Sequence, residues 1–178
     1  MSTSMDTKLF IFLFFAIIIA GCSSENVMDK IVNSLEDVNS FKFESVSFSK
    51  DKRYFITGEL NYTTGSAHIK IQYDNTIVEQ WFFPNETYFK VNNSTIERAD
   101  IFWIPKDKVL RILGTENPIF VERNGGRIIY TDGRNNFHIV WTGEDLLPLK
   151  RVSIIDNETV EIVNFYYQNV NVTLSDDL

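Results

Sequence analysis

The segment AHIKIQYDNTIVEQWFF, residues 67–83, decides the fold class. Its first half alternates strictly between apolar and polar side chains, which is the two-residue period of a strand with one buried and one solvated face. Its second half, residues 77–83, is apolar on both faces. The segment therefore predicts two neighbouring strands of an antiparallel sheet.

Further short strands, separated by turn residues, are predicted on both sides of this segment. Two strands precede it, opening at Phe41 and at Tyr54, and one follows at residues 88–91. A second series is predicted at residues 119–122, 127–131, 137–141, 149–155, 160–167 and 170–174. Asn124-Gly125 and Asp132-Gly133 are strong hairpin signals. The spacing indicates a meander of about nine or ten strands.

Two helices are predicted beside the sheet. The first spans residues 25–39, where Val27, Met28, Ile31, Leu35 and Val38 share one face. Because its other face is polar, this helix must pack on the sheet.

The second helix lies in a crossover, residues 94–118, with Pro105 in its first turn and Gly114 at its end. The predicted fold class is therefore α+β. We expect a strongly curved antiparallel sheet, an incomplete β-barrel, that wraps an N-terminal helix and a short mid-chain helix.

The N-terminus carries an apolar run, residues 9–20, that ends against the only cysteine, Cys22. The run is shorter than the roughly 20 residues that a membrane-spanning helix needs, so it indicates a signal peptide. Ile19-Ala20-Gly21-Cys22 resembles the lipobox of prokaryotic lipoproteins, in which a peptidase cuts before a lipid-modified cysteine. An ordinary signal peptide with an incidental Cys22 and an uncleaved signal anchor are the alternatives.

These features predict the domain organisation. We expect a lipoprotein signal peptide over residues 1–21, a lipidated tether over 22–24 and a single globular domain over 25–178. The mature chain would then be anchored through Cys22 on the outer face of the cytoplasmic membrane. The 178 residues, 44% of them hydrophobic, fit one domain with a sizeable core.

The charge and the cysteine content exclude other classes. A net charge of −7 argues against nucleic acid as a partner, because phosphates require a basic patch. With Cys22 committed to lipid, no cysteine remains for a disulfide, so packing must stabilise the domain.

A late segment carries a family resemblance. Leu147-Pro148-Leu149-Lys150 precedes a strand, an Asp156-Asn157 turn and a further strand. Together with the order helix, meander, crossover helix, meander, this segment is similar to the lipoprotein-carrier family of LolA and LolB type. The resemblance implies an incomplete barrel whose concave face, capped by helices, holds acyl chains. Tethering through lipid is closer to the anchored members of that family.

Aromatic residues are the candidates for a ligand site. They make up 14% of the chain, more than one face of a small sheet needs. One interpretation is an ordinary core, since buried aromatics dominate cores. The other is a concave face lined for an apolar ligand, and the candidate ligand-binding residues are Phe82, Phe89, Phe102, Trp103 and Trp141.

The sequence offers no pattern for catalysis. His68 and His138, its two histidines, fall on the polar parity of their strands and are predicted to be solvated. Metal-ligand spacings and nucleophile motifs are absent from the sequence. We therefore expect no enzyme activity, no cofactor and no metal site.

Asn-X-Ser/Thr triplets are more frequent than chance predicts. They begin at Asn61, Asn85, Asn92, Asn93, Asn157 and Asn171. A lipobox with abundant glycosylation triplets indicates an archaeal exported glycoprotein. The alternative is an Asn- and Thr-rich surface without sugar.

Two functions from different classes fit this sequence. The first is a membrane-anchored extracytoplasmic lipoprotein that binds or carries a hydrophobic ligand such as a lipid. The second is a non-enzymatic module that contacts another protein of the cell envelope.

Overall fold

A computed structural model describes residues 27–99 and 107–174 of the chain. The helical segments are α1 (residues 27–36) and α2 (Lys108–Leu113). The strands are β1 (Ser40–Ser49), β2 (Lys52–Asn61), β3 (Ser66–Tyr73), β4 (Thr76–Phe83), β5 (Glu86–Val91), β6 (Glu97–Ala99), β7 (Ile119–Asn124), β8 (Arg127–Thr131), β9 (Phe137–Thr142), β10 (Pro148–Ile155) and β11 (Glu158–Tyr166). The predicted signal peptide and tether, including Cys22, lie outside the described residues.

All eleven strands belong to one antiparallel sheet, in the order β6-β5-β4-β3-β2-β1-β11-β10-β9-β8-β7. Two meanders, β1–β6 and β7–β11, are joined where β1 pairs with β11. Within the described residues the end strands β6 and β7 do not pair with each other, so the sheet is not closed. The predicted sheet with two helices is confirmed, but the protein is richer in sheet than the α+β expectation suggests.

The sheet is curved around a shared core. Ile69 on β3 and Ile128 on β8 belong to one hydrophobic cluster, together with Ile31 of α1 and Ile112 of α2. In a flat sheet, β3 and β8 would stand six strand spacings apart, or roughly 29 Å. One continuous cluster across that span requires a curved sheet with the helices on its concave side.

The apolar stripe predicted for α1 is confirmed. Met28, Ile31 and Leu35 are buried in the core, whereas Asp29 and Lys30 on the opposite face are exposed. The helical segment ends at residue 36 rather than at the predicted residue 39.

The ends of α2 follow from its sequence. The Asp107 carboxylate accepts a hydrogen bond from the Leu110 amide at 3.0 Å and caps the N-terminus. Gly114, predicted as the stop, adopts φ 77° at the C-cap, a left-handed conformation that glycine adopts without a steric penalty. Ile112 and Leu113 are fully buried, so both face the core.

The predicted turns join the strands in two ways. Asp156 and Asn157 both have positive φ, as a two-residue hairpin turn requires, and the chain also turns in two residues between Asn124 and Arg127. Asp132-Gly133 instead opens a longer loop, residues 132–136. There the Asp132 carboxylate accepts hydrogen bonds from the Arg134 amide at 2.8 Å and the Asn136 side chain at 2.7 Å.

The last strand predicted, residues 170–174, is wrong. This segment is extended but unpaired, and it packs on the convex face against Trp81. It is held near the start of β1, where the Ser40 hydroxyl accepts from the Val170 amide at 3.2 Å and Asn61 donates to the Val170 carbonyl at 2.7 Å. Because β1 already pairs with β2 and β11, no free strand edge is available to this segment.

Candidate functional site: an apolar cavity on the concave face

A cavity of about 610 Å³ opens on the concave face of the first meander. Polar groups occur among its lining residues only at a few positions, the most notable being Thr87, Arg111 and Glu161. Most of the lining is apolar, and its large side chains are Phe43, Ile56, Ile69, Ile71, Phe82 and Phe89.

One cross-strand row forms the centre of the cavity wall. The strand register aligns Phe43, Gly58, Ile69, Gln80 and Phe89 across five neighbouring strands. Side chains of paired residues point to the same face of a sheet. This single row therefore supplies a wall that is apolar except at its fourth position.

Gly58 creates the space that this row needs. A Cβ atom added at this position would overlap the Phe43 ring of the neighbouring strand. An isolated glycine inside a strand often marks such a close approach. That signal was present in the sequence, but our sequence reasoning missed Gly58 as a residue that shapes the site.

Thr87 places an unsatisfied hydroxyl on the wall. The residue is only 3% exposed, and its Oγ1 has no hydrogen-bond partner. A buried polar group without a partner costs about 1–3 kcal/mol. A ligand oxygen or amide inside the cavity would remove that cost.

The end of the cavity nearest α2 is charged. Arg111 of α2 and Glu161 of β11 both line it. Glu161 forms an ion pair with Arg151, and its second carboxylate oxygen accepts from the Ser45 hydroxyl at 3.1 Å. Burial lowers the pKa of the Arg111 guanidinium, and the charge of Glu161 partly opposes that shift. Arginine nevertheless remains protonated in proteins at neutral pH.

Arg151 fixes the position of α2. Its Nη1 donates to the carbonyls of Arg111 at 3.1 Å and Ile112 at 2.8 Å. The Tyr130 hydroxyl donates to the Leu113 carbonyl at 2.6 Å. These side chains satisfy carbonyls that a helix leaves unpaired at its C-terminus. The backbone that carries the Arg111 side chain is therefore held rigidly against the sheet.

The prediction that His138 is solvated is wrong. The side chain is 5% exposed, its Nδ1 lies 3.1 Å from the Ser153 hydroxyl, and its ring stacks on Tyr130. Desolvation and the charge of Arg151 lower the pKa of His138 to about 4, so the imidazole is neutral at pH 7. This parity faces the polar groups beneath α2, which can satisfy an imidazole, and Phe137 is left on the outer face.

The Ser153–His138 contact does not form a candidate catalytic centre. Ser153 is 4% exposed, and neither side chain lines the cavity. A nucleophile and its base need access to a substrate. The contact therefore contributes to the packing beneath α2.

His68 lies on the outer face, but it is not freely solvated. Its Nε2 is 3.2 Å from the Glu79 carboxylate, and its ring stacks on Trp81 at 4.8 Å between centroids. The imidazole is thus partly covered by neighbours on its own face of the sheet.

The structure brings together two of the five predicted ligand-binding residues. Phe82 and Phe89 line the cavity. Trp141 lies on the opposite face, because its neighbour Val140 is buried inward, and the Lys150 ammonium stands 5.4 Å from its ring centroid. Phe102 and Trp103 lie outside the described residues.

The asparagines of the glycosylation triplets differ in their accessibility. Asn61 is partly buried, and its side-chain nitrogen is engaged with the Val170 carbonyl. Exposed positions are Asn85, Asn92, Asn93, Asn157 and Asn171. The nitrogen of Asn61 is the atom that a glycan would modify, so this position is the least suited to glycosylation in the folded domain.

Neither metal ligands nor spanning helices are evident in the described part of the chain. Residues 27–99 and 107–174 contain no group of three or more His, Cys, Asp or Glu side chains that could hold a metal ion. Neither of the helices in these ranges is long and apolar enough to cross a membrane.

Comparisons with known proteins give little further information. The chain matches no family model, and no curated protein matches it. It is similar in structure to an uncharacterized conserved protein from Thermus thermophilus, with 8% sequence identity and a TM-score of 0.49. The similarity covers 86% of this chain and 96% of that chain.

Proposed function

We propose that this protein is a membrane-anchored extracytoplasmic lipoprotein that binds or carries a hydrophobic ligand, such as a lipid acyl chain. The observation that carries the proposal is the largely apolar cavity of about 610 Å³. Small-molecule sites in proteins are mostly apolar and measure about 300–1,000 Å³. In this proposal the curved sheet acts as an incomplete β-barrel whose concave side holds the chain.

The chemistry of the cavity favours recognition by chain length. Each buried methylene contributes about 0.8 kcal/mol, so two further carbons strengthen binding by about 1.6 kcal/mol. That is about fifteenfold in affinity. The gain should continue only until the space between Phe43 and Phe89 is filled.

A chain-length series tests the ligand. The full chain is purified, placed in neutral-lipid nanodiscs and incubated with photoreactive fatty acids of increasing length. We expect saturable labelling of peptides that contain Phe43, Phe82 or Phe89, and displacement by lipid extract. Finding no saturable labelling of the folded chain would contradict the proposal.

The membrane anchor is tested separately at Cys22, the only thiol in the chain. Cys22→Ala should move the protein from the detergent phase to the aqueous phase in phase partitioning, whereas Ser23→Ala should not. If the alanine variant still enters the detergent phase, the lipid anchor is wrong. The ligand proposal would be unaffected by that result.

A second candidate, an envelope-interaction module, is favoured by one feature of the convex face. The strand register aligns an apolar row across six neighbouring strands, and Phe55 at its end is 48% exposed. Rows of this kind are typical of interaction surfaces. The row consists of Ile129, Ile139, Val152, Ile162, Val46 and Phe55.

Site-specific crosslinking tests this second candidate. A photocrosslinking residue at Phe55 should give a discrete protein adduct in intact cells, while the same residue at Asp51, in an exposed turn, should not. The absence of an adduct from Phe55 would contradict the interaction module.

A further inference from the structure

We propose that the ligand is an amphiphile with an anionic oxygen head group, and that Arg111 binds this group at the α2 end of the cavity. The inference rests on the proposed function of the cavity and names the class of ligand that it takes. The shared chemistry is an oxyanion on an acyl chain, either a carboxylate or a phosphate.

The balance of charge at this end is positive. Among the described residues, the charged groups that act on Arg111 are Glu161 and Arg151, and the nearby Tyr62 phenol stays neutral because burial raises its pKa to about 12. Two guanidinium groups thus face one carboxylate. Local positive charge stands out in a chain whose net charge is −7.

The carboxylate is already committed. One oxygen of Glu161 is paired with Arg151, and the other accepts from Ser45 at 3.1 Å. Glu161 is therefore engaged by groups other than Arg111. An incoming anion would bring the missing negative charge to the cavity end.

The setting strengthens such a contact. A guanidinium matches carboxylate and phosphate oxygens with two parallel hydrogen bonds. Charge-assisted bonds are stronger where water is scarce, and Arg111 is half-buried beside Phe43 and Ile56 of the cavity wall. Its backbone is fixed by Arg151, so the cation is presented from a rigid support.

The test compares head groups on one chain. The full chain in neutral-lipid nanodiscs is titrated with palmitate, palmityl phosphate, palmityl alcohol and hexadecylamine. We expect the two anions to bind about ten- to a hundredfold more tightly than the alcohol, and the amine to bind most weakly. The ratio of palmitate to palmityl phosphate decides between a carboxylate and a phosphate source.

Variants assign the preference to Arg111. Arg111→Gln should reduce the affinity for both anions to that of the alcohol and leave alcohol binding unchanged, whereas Arg111→Lys should keep part of the preference. Arg98→Gln, at an exposed arginine, should change neither. If Arg111→Gln does not fold, the wild-type series and Arg111→Lys still decide the question.

The outcomes separate this inference from the proposed function. If all four head groups bind equally, or if Arg111→Gln keeps the anion preference, the inference is overturned while the proposed function stands. If none of the four compounds binds the folded chain, the proposed function is overturned and the inference with it.

Discussion

The two sides of the curved sheet treat their concave faces differently. In what we call the filled half, strands β8–β11, the inward side chains include His138, Arg151 and Ser153, and they lie beneath α2. In the hollow half, strands β1–β5, the inward side chains are mostly large and apolar, and they line the cavity. Polar groups are thus tolerated where a helix terminus satisfies them. Apolar groups remain half-covered on the side where we propose that a ligand enters.

The largest effect is expected in the filled half. Arg151→Leu removes the hydrogen bonds to two α2 carbonyls and leaves Glu161 without its cation. Breaking a buried ion pair in this way costs about 3–5 kcal/mol. Chemical denaturation of the variant should show that loss of free energy of unfolding.

Arg98→Leu is the matched control, because Arg98 forms an exposed pair with Glu86 at 3.9 Å. Exposed pairs contribute about 0–1 kcal/mol. Equal losses from Arg151→Leu and Arg98→Leu would show that the polar network beneath α2 does not hold the filled half together.

The filled half should also make stability depend on pH. Because the pKa of His138 falls from its ordinary 6.5 to about 4, the unfolded chain binds more protons between these values. Stability should therefore decline as pH falls from 6.5 towards 4, by at most about 3 kcal/mol. Denaturation at a series of pH values measures the slope.

His138→Gln should remove the part of this slope that His138 contributes, whereas His68→Gln, on the outer face, should retain it. An unchanged slope in His138→Gln would mean that another group is responsible for the pH dependence.

A smaller effect is expected at the centre of the hollow half. Gly58→Ala places a methyl group where the Phe43 ring lies, so the ring must move into the cavity. Overpacking of this kind costs about 1–3 kcal/mol. Stability should fall modestly while binding of a long acyl chain falls more strongly, as denaturation and the chain-length series would show. Gly125→Ala, in an open turn, would test whether loss of glycine alone reduces binding.

The smallest effect is expected at Thr87. Thr87→Val replaces an unpaired hydroxyl with a methyl group of similar size, so the stability of the unliganded protein should rise by about 1 kcal/mol or stay unchanged. A clear loss of stability would show that the hydroxyl has a partner in solution. Thr57→Val, at an exposed position, is the control.

Alternation along the chain was enough to predict most strands, but not their inward faces. In β9 the more apolar set, Phe137, Ile139 and Trp141, faces outward, while His138 and Val140 are buried. Local sequence reports two parities without saying which one meets the core. The answer depends on the groups beneath α2, which come from distant parts of the chain.

The candidate site was predictable only in its aromatic wall. Phe82 and Phe89 were identified because they stand on strands rich in aromatic residues, and both line the cavity. Arg111 and Glu161 are far apart in sequence and meet only because α2 and β11 pack against the same core. No local pattern indicates that meeting, so the charged end was not expected.

The pairing of β1 with β11 has a consequence for the time course of folding. Glu44 and Tyr166, hydrogen-bonded across this pair, are 122 residues apart. Contacts between such distant residues form slowly, because a long loop must close before they stabilise the chain. During synthesis β1 therefore lacks one neighbour until nearly the whole domain has been made. An early-folding first meander would meanwhile expose an unpaired strand edge, and such edges are prone to associate with other chains.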